Sequence, residues 1–96
     1  MNIEISTLAN SELENAIEYY NLQQLKLGDN FKYEIKQDIN SISQNPNLYP
    51  DVADRLKRVV IYKFPYNIYY TILKDKIVIV SIAHQHRRPF YKIKKD

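Results

Sequence analysis

The chain contains no cysteine. Disulfides, thiol nucleophiles and cysteine-ligated metal centres are therefore excluded, and the reducing cytosol is the expected compartment. Glycine occurs once, at Gly28, so a helix end that needs a left-handed residue has one natural place to be. No apolar run approaches the roughly 18 residues of a membrane span, and Met1-Asn2-Ile3-Glu4-Ile5 lacks the basic-then-apolar order of a signal peptide. A cytoplasmic protein without a membrane partner is expected. What is present is ordinary for a globular protein: 96 residues, 45% hydrophobic and 26% charged, enough for a single domain over 1–96. A domain of this size buries only about two-thirds of the surface that its unfolded chain exposes, which leaves room for an obligate partner.

The net charge of +3 is unevenly spread. Residues 1–50 hold three Lys and Arg against seven Asp and Glu, a balance of −4, whereas residues 51–96 hold eleven against four, a balance of +7. A basic C-terminal half favours a polyanionic partner such as RNA, DNA or an acidic peptide. The plain alternative is a solvated Lys-rich surface.

Ile3 and Ile5 alternate with polar residues, the period of a short strand with one buried face. Ser11-Glu12-Leu13-Glu14 offers a capping box, so a helix is expected to start there. Leu13, Ala16, Ile17 and Tyr20 supply its apolar stripe, and Gly28 is expected to end it. Asp29 or Asn30 can cap a second helix, along which Phe31, Ile35, Ile39 and Ile42 recur at spacings of four, four and three until Asn45-Pro46 stops it. The short link makes the pair an antiparallel hairpin. Residues 56–64, 66–73 and 77–83 are dense in Val, Ile, Tyr and Phe and separated by tight links, which predicts a three-stranded antiparallel meander. The fold class is α+β: an N-terminal strand, a helical hairpin, then the meander, with helices on one face of the sheet.

Several short strings, taken together, carry a resemblance. They are Ala16-Ile17-Glu18-Tyr19-Tyr20, Leu27-Gly28-Asp29-Asn30-Phe31, Asn45-Pro46 with Tyr49-Pro50, Phe64-Pro65-Tyr66 followed by Ile68-Tyr69-Tyr70, and His84-Gln85-His86-Arg87-Arg88-Pro89. In this order they cover nearly the whole chain, and the sequence resembles the RelE/ParE toxin superfamily. That resemblance implies a growth-arresting toxin of a type II toxin–antitoxin pair, neutralised by a cognate antitoxin whose extended segment wraps the helices and sheet. It allows a homodimer, or a heterotetramer with the antitoxin. Its targets divide the family: RelE-like members cleave messenger RNA in the ribosome, and ParE-like members poison DNA gyrase.

Metal-independent RNA cleavage needs a base, cations for the phosphate and an acid for the leaving oxygen. If the chain is a nuclease, the candidates are Arg58, His84, Arg87 and Tyr91, of which Arg87 and Tyr91 carry over from the family's pattern. However, Asn67 stands where RelE-like enzymes place a second phosphate-binding arginine. An amide hydrogen-bonds a phosphate but does not neutralise it, so the gyrase-directed class is favoured. The expected target-binding cations are Arg55, Lys57, Arg58, Arg87 and Arg88; the alternative for Arg55, Lys57 and Arg58 is an edge strand protected by charge. His84 continues the period of Val78, Val80 and Ile82, and a packed histidine ending a strand is the plainer reading of it. His84 and His86 alone make a poor metal site, and no cofactor is expected. Tyr62, Tyr66, Tyr69 and Tyr70 are explained as core and strand formers. Tyr19 adjoins Tyr20, so one of the two must leave the core stripe; Tyr19 is the candidate for antitoxin contact. A non-toxic nucleic-acid or adaptor module on the same fold is the reading from another class. The target reading rests on Arg58 and Arg87 sharing one surface.

Overall fold

The computed structural model describes residues 1–87. Its elements are β1 (Asn2–Ile5), α1 (Thr7–Gln23), α2 (Leu27–Gln44), β2 (Asp51–Ala53), β3 (Leu56–Val60), β4 (Tyr66–Leu73) and β5 (Lys76–His84). The N-terminal strand, the helical hairpin and the antiparallel meander β3-β4-β5 follow the order expected from the sequence. Two features go beyond it. A short strand, β2, pairs with β3. The sheet is also mixed, in the order β1-β5-β4-β3-β2, because β1 lies parallel to β5. The two helices carry the chain from β1 at one edge of the sheet to β2 at the other, and the strands that follow return to place β5 beside β1.

α1 starts one turn earlier than the capping box at Ser11 predicts. Ser6, in an extended conformation, accepts from the Ala9 amide with its Oγ at 3.0 Å and donates its hydroxyl to the Val80 carbonyl at 2.9 Å. Its own amide donates to the Ile79 carbonyl. The helix begins where β5 can hold its cap, which the sequence around Ser11 does not reveal. Of the two isoleucines expected to be buried in β1, Ile3 packs against the core while Ile5 remains 40% exposed at the sheet edge.

Gly28 does not end α1. The left-handed residue between the helices is Lys26, at φ 67°, and Gly28 lies in the first turn of α2. The reason for glycine there is contact: a Cβ would meet the Ile17 carbonyl oxygen at 2.1 Å and Asn21 Cγ at 2.7 Å. Asn21 then does what Asp29 or Asn30 was expected to do, its Oδ1 accepting from the Gly28 amide at 2.7 Å. The cap of α2 is thus supplied by α1.

The main core lies between the helices and one face of the sheet, where Phe31, Ile35 and Ile42 of α2 and Ala9 and Ala16 of α1 meet Ile68 and Tyr70 of β4 and Ile77, Ile79 and Ile82 of β5. Tyr70 donates its hydroxyl to the Pro46 carbonyl at 2.7 Å, and burial pushes it up to about 12. A smaller cluster of Leu56, Tyr69 and Ala83, joined by Val52, Ala53 and Val80, occupies the opposite face.

β5 carries a bulge. Tyr69 pairs with Ser81 and Tyr70 with Ile79, which leaves Val80 as the extra residue. The strict alternation from Val78 through His84 is therefore broken: Val80 packs on the smaller cluster, and Ile82 packs on the core beneath the helices. His84 shares a face with Ile82 but not with Val78 and Val80. Among the described residues, no helix is long and apolar enough to cross a membrane.

Candidate functional site

At the end of β5 a notch of about 190 Å³ opens between the sheet and α1, lined by Glu12, Asn15, Ala16, Tyr19, Tyr66, Ile82, His84 and Arg87. The bulge at Val80 frees backbone groups at this end, and α1 supplies their partners. Glu12, mostly buried, uses both carboxylate oxygens: Oε1 accepts from Ser81 Oγ at 2.8 Å and from the Ile82 amide at 2.9 Å, and Oε2 accepts from Arg87 Nη2. Arg87 is thus fixed in the notch by an ion pair to a carboxylate that is itself held on the strand.

His84 stacks edge-on to Tyr66 with ring centroids 5.2 Å apart, and its Nδ1 accepts from the His86 amide at 3.1 Å. In a neutral imidazole this leaves the proton on Nε2. Burial raises Tyr66 above its ordinary value while the Arg87 guanidinium pulls it the other way. Tyr19 lies on the same flank of α1, more than half exposed, edge-on to Tyr20 at 5.4 Å. The notch therefore joins Tyr19, His84 and Arg87, which the sequence singled out as site candidates, with Asn15, with Glu12, read only as part of a capping box, and with Tyr66, read as a core and strand former. Glu12 had no legible signal, because its hydrogen-bond partners lie about seventy residues away along the chain.

The remaining candidates are elsewhere. Arg58 pairs with Tyr69 in register, opposite the smaller cluster on the face away from the helices, and is half-buried with Nε unpartnered among the described residues. Arg58 and Arg87 consequently point to opposite sides of the sheet, which overturns the expectation that they share one target-binding surface. Lys57 faces the helix side, donating to the Tyr49 carbonyl at 3.0 Å and paired with Asp51 at 3.0 Å. Arg55 occupies the turn before β3 with φ 56°. It lines a second hollow with Asp51, Lys57 and Ile72. Arg88 and Tyr91 lie outside the described residues. His86 is exposed. Among the described residues, no group of His, Asp or Glu is arranged to hold a metal ion.

Asn67 is buried on the face away from the helices, 7% exposed, with its Nδ2 donating to the Tyr69 hydroxyl at 3.3 Å and its Oδ1 unpartnered among the described residues. Tyr69 and Tyr70 are buried, in keeping with their reading as core formers, but Tyr62 is not. β3 ends at Val60 rather than continuing to residue 64, and Tyr62 in the following loop is 98% exposed.

No curated protein matches the sequence significantly. A solved structure described as the chromosomal ParDE TA system from P. aeruginosa superposes with a TM-score of 0.79 at 14% identity, covering 88% of this chain and 95% of that one. At that identity the likeness shows the fold. The family model described as the ParE toxin of the type II toxin–antitoxin system parDE matches residues 3–89, nearly the whole chain. The chain belongs to the ParE toxin family of type II toxin–antitoxin systems.

Proposed function

We propose that this toxin arrests growth by binding and inhibiting DNA gyrase in the cytoplasm, and that a cognate antitoxin neutralises it. The observation that supports a binding inhibitor over a ribosome-dependent nuclease is how the candidate cations are engaged. Phosphoryl chemistry calls for guanidinium groups converging on one phosphate. Here Arg87 is tied to Glu12, Arg58 lies across the sheet, and the position of the second arginine is held by the buried amide Asn67. An inhibitor has no such need, because it requires a shaped and charged surface rather than an acid, a base and a phosphate clamp.

One observation favours a second reading. His84, Tyr66 and Arg87 converge on the notch, and an endoribonuclease would use such groups as acid, base and phosphate ligand. Purified protein tested on gyrase supercoiling and, separately, on ribosome-bound transcripts decides between the two. Supercoiling inhibited with transcripts intact is the expected result. Transcript cleavage that disappears in Arg87→Ala overturns the gyrase reading. Undisturbed growth when the gene is induced alone at good expression overturns the toxin itself.

For neutralisation, the surface offered to the antitoxin is the outer side of the helical hairpin, where Tyr19, Leu22 and Leu25 are exposed. Large exposed apolar residues on one element mark a surface to be covered. Leu22→Ala, which lies outside the notch, is expected to weaken antitoxin capture without altering growth arrest.

A further inference from the structure

The loop between β3 and β4 holds Tyr62 in an unusual way. Its neighbours are anchored: Ile61 is buried in the core with its amide donating to the Tyr66 carbonyl at 3.0 Å. Phe64 packs edge-on to Tyr20 at 5.1 Å and to Phe31 at 5.0 Å. The Pro65 carbonyl accepts from the Gln85 amide at 2.7 Å. A loop pinned on both sides of Tyr62 presents that ring as a rigid projection into solvent. Nothing in a hairpin link demands an aromatic residue there, since Gly, Asn or Asp would serve the turn at lower cost.

The segment that leads to the ring is cationic. From Arg55 to Lys63 the chain carries four Lys and Arg and no Asp or Glu. Lys57 is neutralised by Asp51, but Arg55, Arg58 and Lys63 make no ion pair among the described residues. Val60, 57% exposed, adds apolar surface next to the loop. A rigid, fully exposed aromatic at the end of a strand that carries unpaired cations along its length matches the way in which proteins hold unpaired nucleotides, stacking a base on the ring and setting successive phosphates against the charges.

We infer that Tyr62, with Lys63, Arg58 of β3 and Arg55 in the turn before it, forms a binding site for single-stranded nucleic acid, in which Tyr62 stacks on a base and Lys63 contacts the backbone. The site is separate from the notch at Glu12 and Arg87, and it holds whichever target the toxin has. Recognition is sequence-tolerant, because every base offers a face to a ring. A half-buried arginine such as Arg58 contributes mainly field, whereas the exposed Lys63 is free to reach a phosphate.

The test uses the purified full-length protein and fluorescein-labelled 12-nucleotide oligothymidylate and oligouridylate, read by anisotropy across a salt series. Binding of at least one strand is expected, with Tyr62→Phe within twofold of wild type and Tyr62→Ala weaker by about tenfold or more, the loss of one stacked base. Lys63→Gln should lower the salt slope by about 0.7, the value for one phosphate contact on a single strand. The ratio of the two strands tells whether RNA or DNA is preferred. All three variants alter exposed side chains, and unchanged melting temperatures confirm that folding is intact. Absent binding of both strands, or equal binding by Tyr62→Ala and wild type, overturns the inference. So does displacement of the strand by an equal concentration of oligoglutamate, which would assign the surface to an acidic protein.

Discussion

Replacing Gly28 by alanine sets two physical effects against each other with opposite signs. Gly28 is inside the first turn of α2 with an ordinary helical φ, so helix propensity alone predicts that Gly28→Ala stabilises the protein by up to about 1 kcal/mol. Packing predicts the reverse. The added methyl would lie 2.1 Å from the Ile17 carbonyl oxygen and 2.7 to 2.8 Å from the Asn21 side chain, whereas real contacts of this kind keep beyond 3.0 Å. Asn21 can swing away, but the Ile17 carbonyl belongs to the backbone of α1, so the two helices must separate by roughly an ångström. Such a shift disturbs the packing of both helices on Phe31 and the sheet, and overpacking of this kind costs about 1–3 kcal/mol. Moving Asn21 also removes its hydrogen bond to the Gly28 amide, which is worth about 1 kcal/mol as a cap. The net expectation is destabilisation by about 2 kcal/mol, which for a domain of this size lowers the melting temperature by roughly 10 °C. Urea denaturation and calorimetry read both quantities. Asn21→Ala alone should cost only its cap, about 1 kcal/mol. An unchanged or raised melting temperature in Gly28→Ala would show that the helices are not in the close contact on which the reasoning depends.

Three further perturbations test other parts of the structure. Glu12→Ala leaves Ser81 Oγ and the Ile82 amide without their acceptor and frees Arg87, so urea denaturation should show a loss of about 2–3 kcal/mol; a loss under 0.5 kcal/mol would mean that the bulge is satisfied some other way. Tyr70→Phe deprives the Pro46 carbonyl of its donor and should cost about 1 kcal/mol in the same assay, and a variant as stable as wild type would remove that hydrogen bond from the account. Asp38 is raised to about 6 from 3.8, first by burial and then by Glu34. The folded state therefore holds this proton more tightly than the unfolded one, so its favourable contribution is complete below pH 4 and is lost as pH rises through 6. Melting temperatures between pH 4 and 7 should fall less steeply in Asp38→Asn than in wild type, with the variant the more stable at pH 7; parallel profiles would refute the assignment.

Periodicity and breakers along the chain were enough to determine the class and the order of every element but the short β2. The stripe Phe31, Ile35 and Ile42, the stop at Asn45-Pro46 and the apolar runs of β4 and β5 are local signals, and each reappears at the same place in the structure. Long-range partnership decided what local signals could not. Ser6 outcompeted Ser11 as a cap because its hydroxyl and amide also bind β5. Gly28 is required by the closeness of α1, a constraint invisible in a one-dimensional pattern that offers only turns as a use for glycine. The bulge at Val80 reversed the facing of everything after it, which moved His84 and Arg87 to the helix side and away from Arg58. One inserted residue in a strand changes which side chains share a surface, and alternation read from sequence has no means of detecting it. Tyr62 is the same lesson in the other direction: a tyrosine in a β-rich run reads as core, and only the end of β3 at Val60 and the anchoring of Phe64 leave it pointing into solvent.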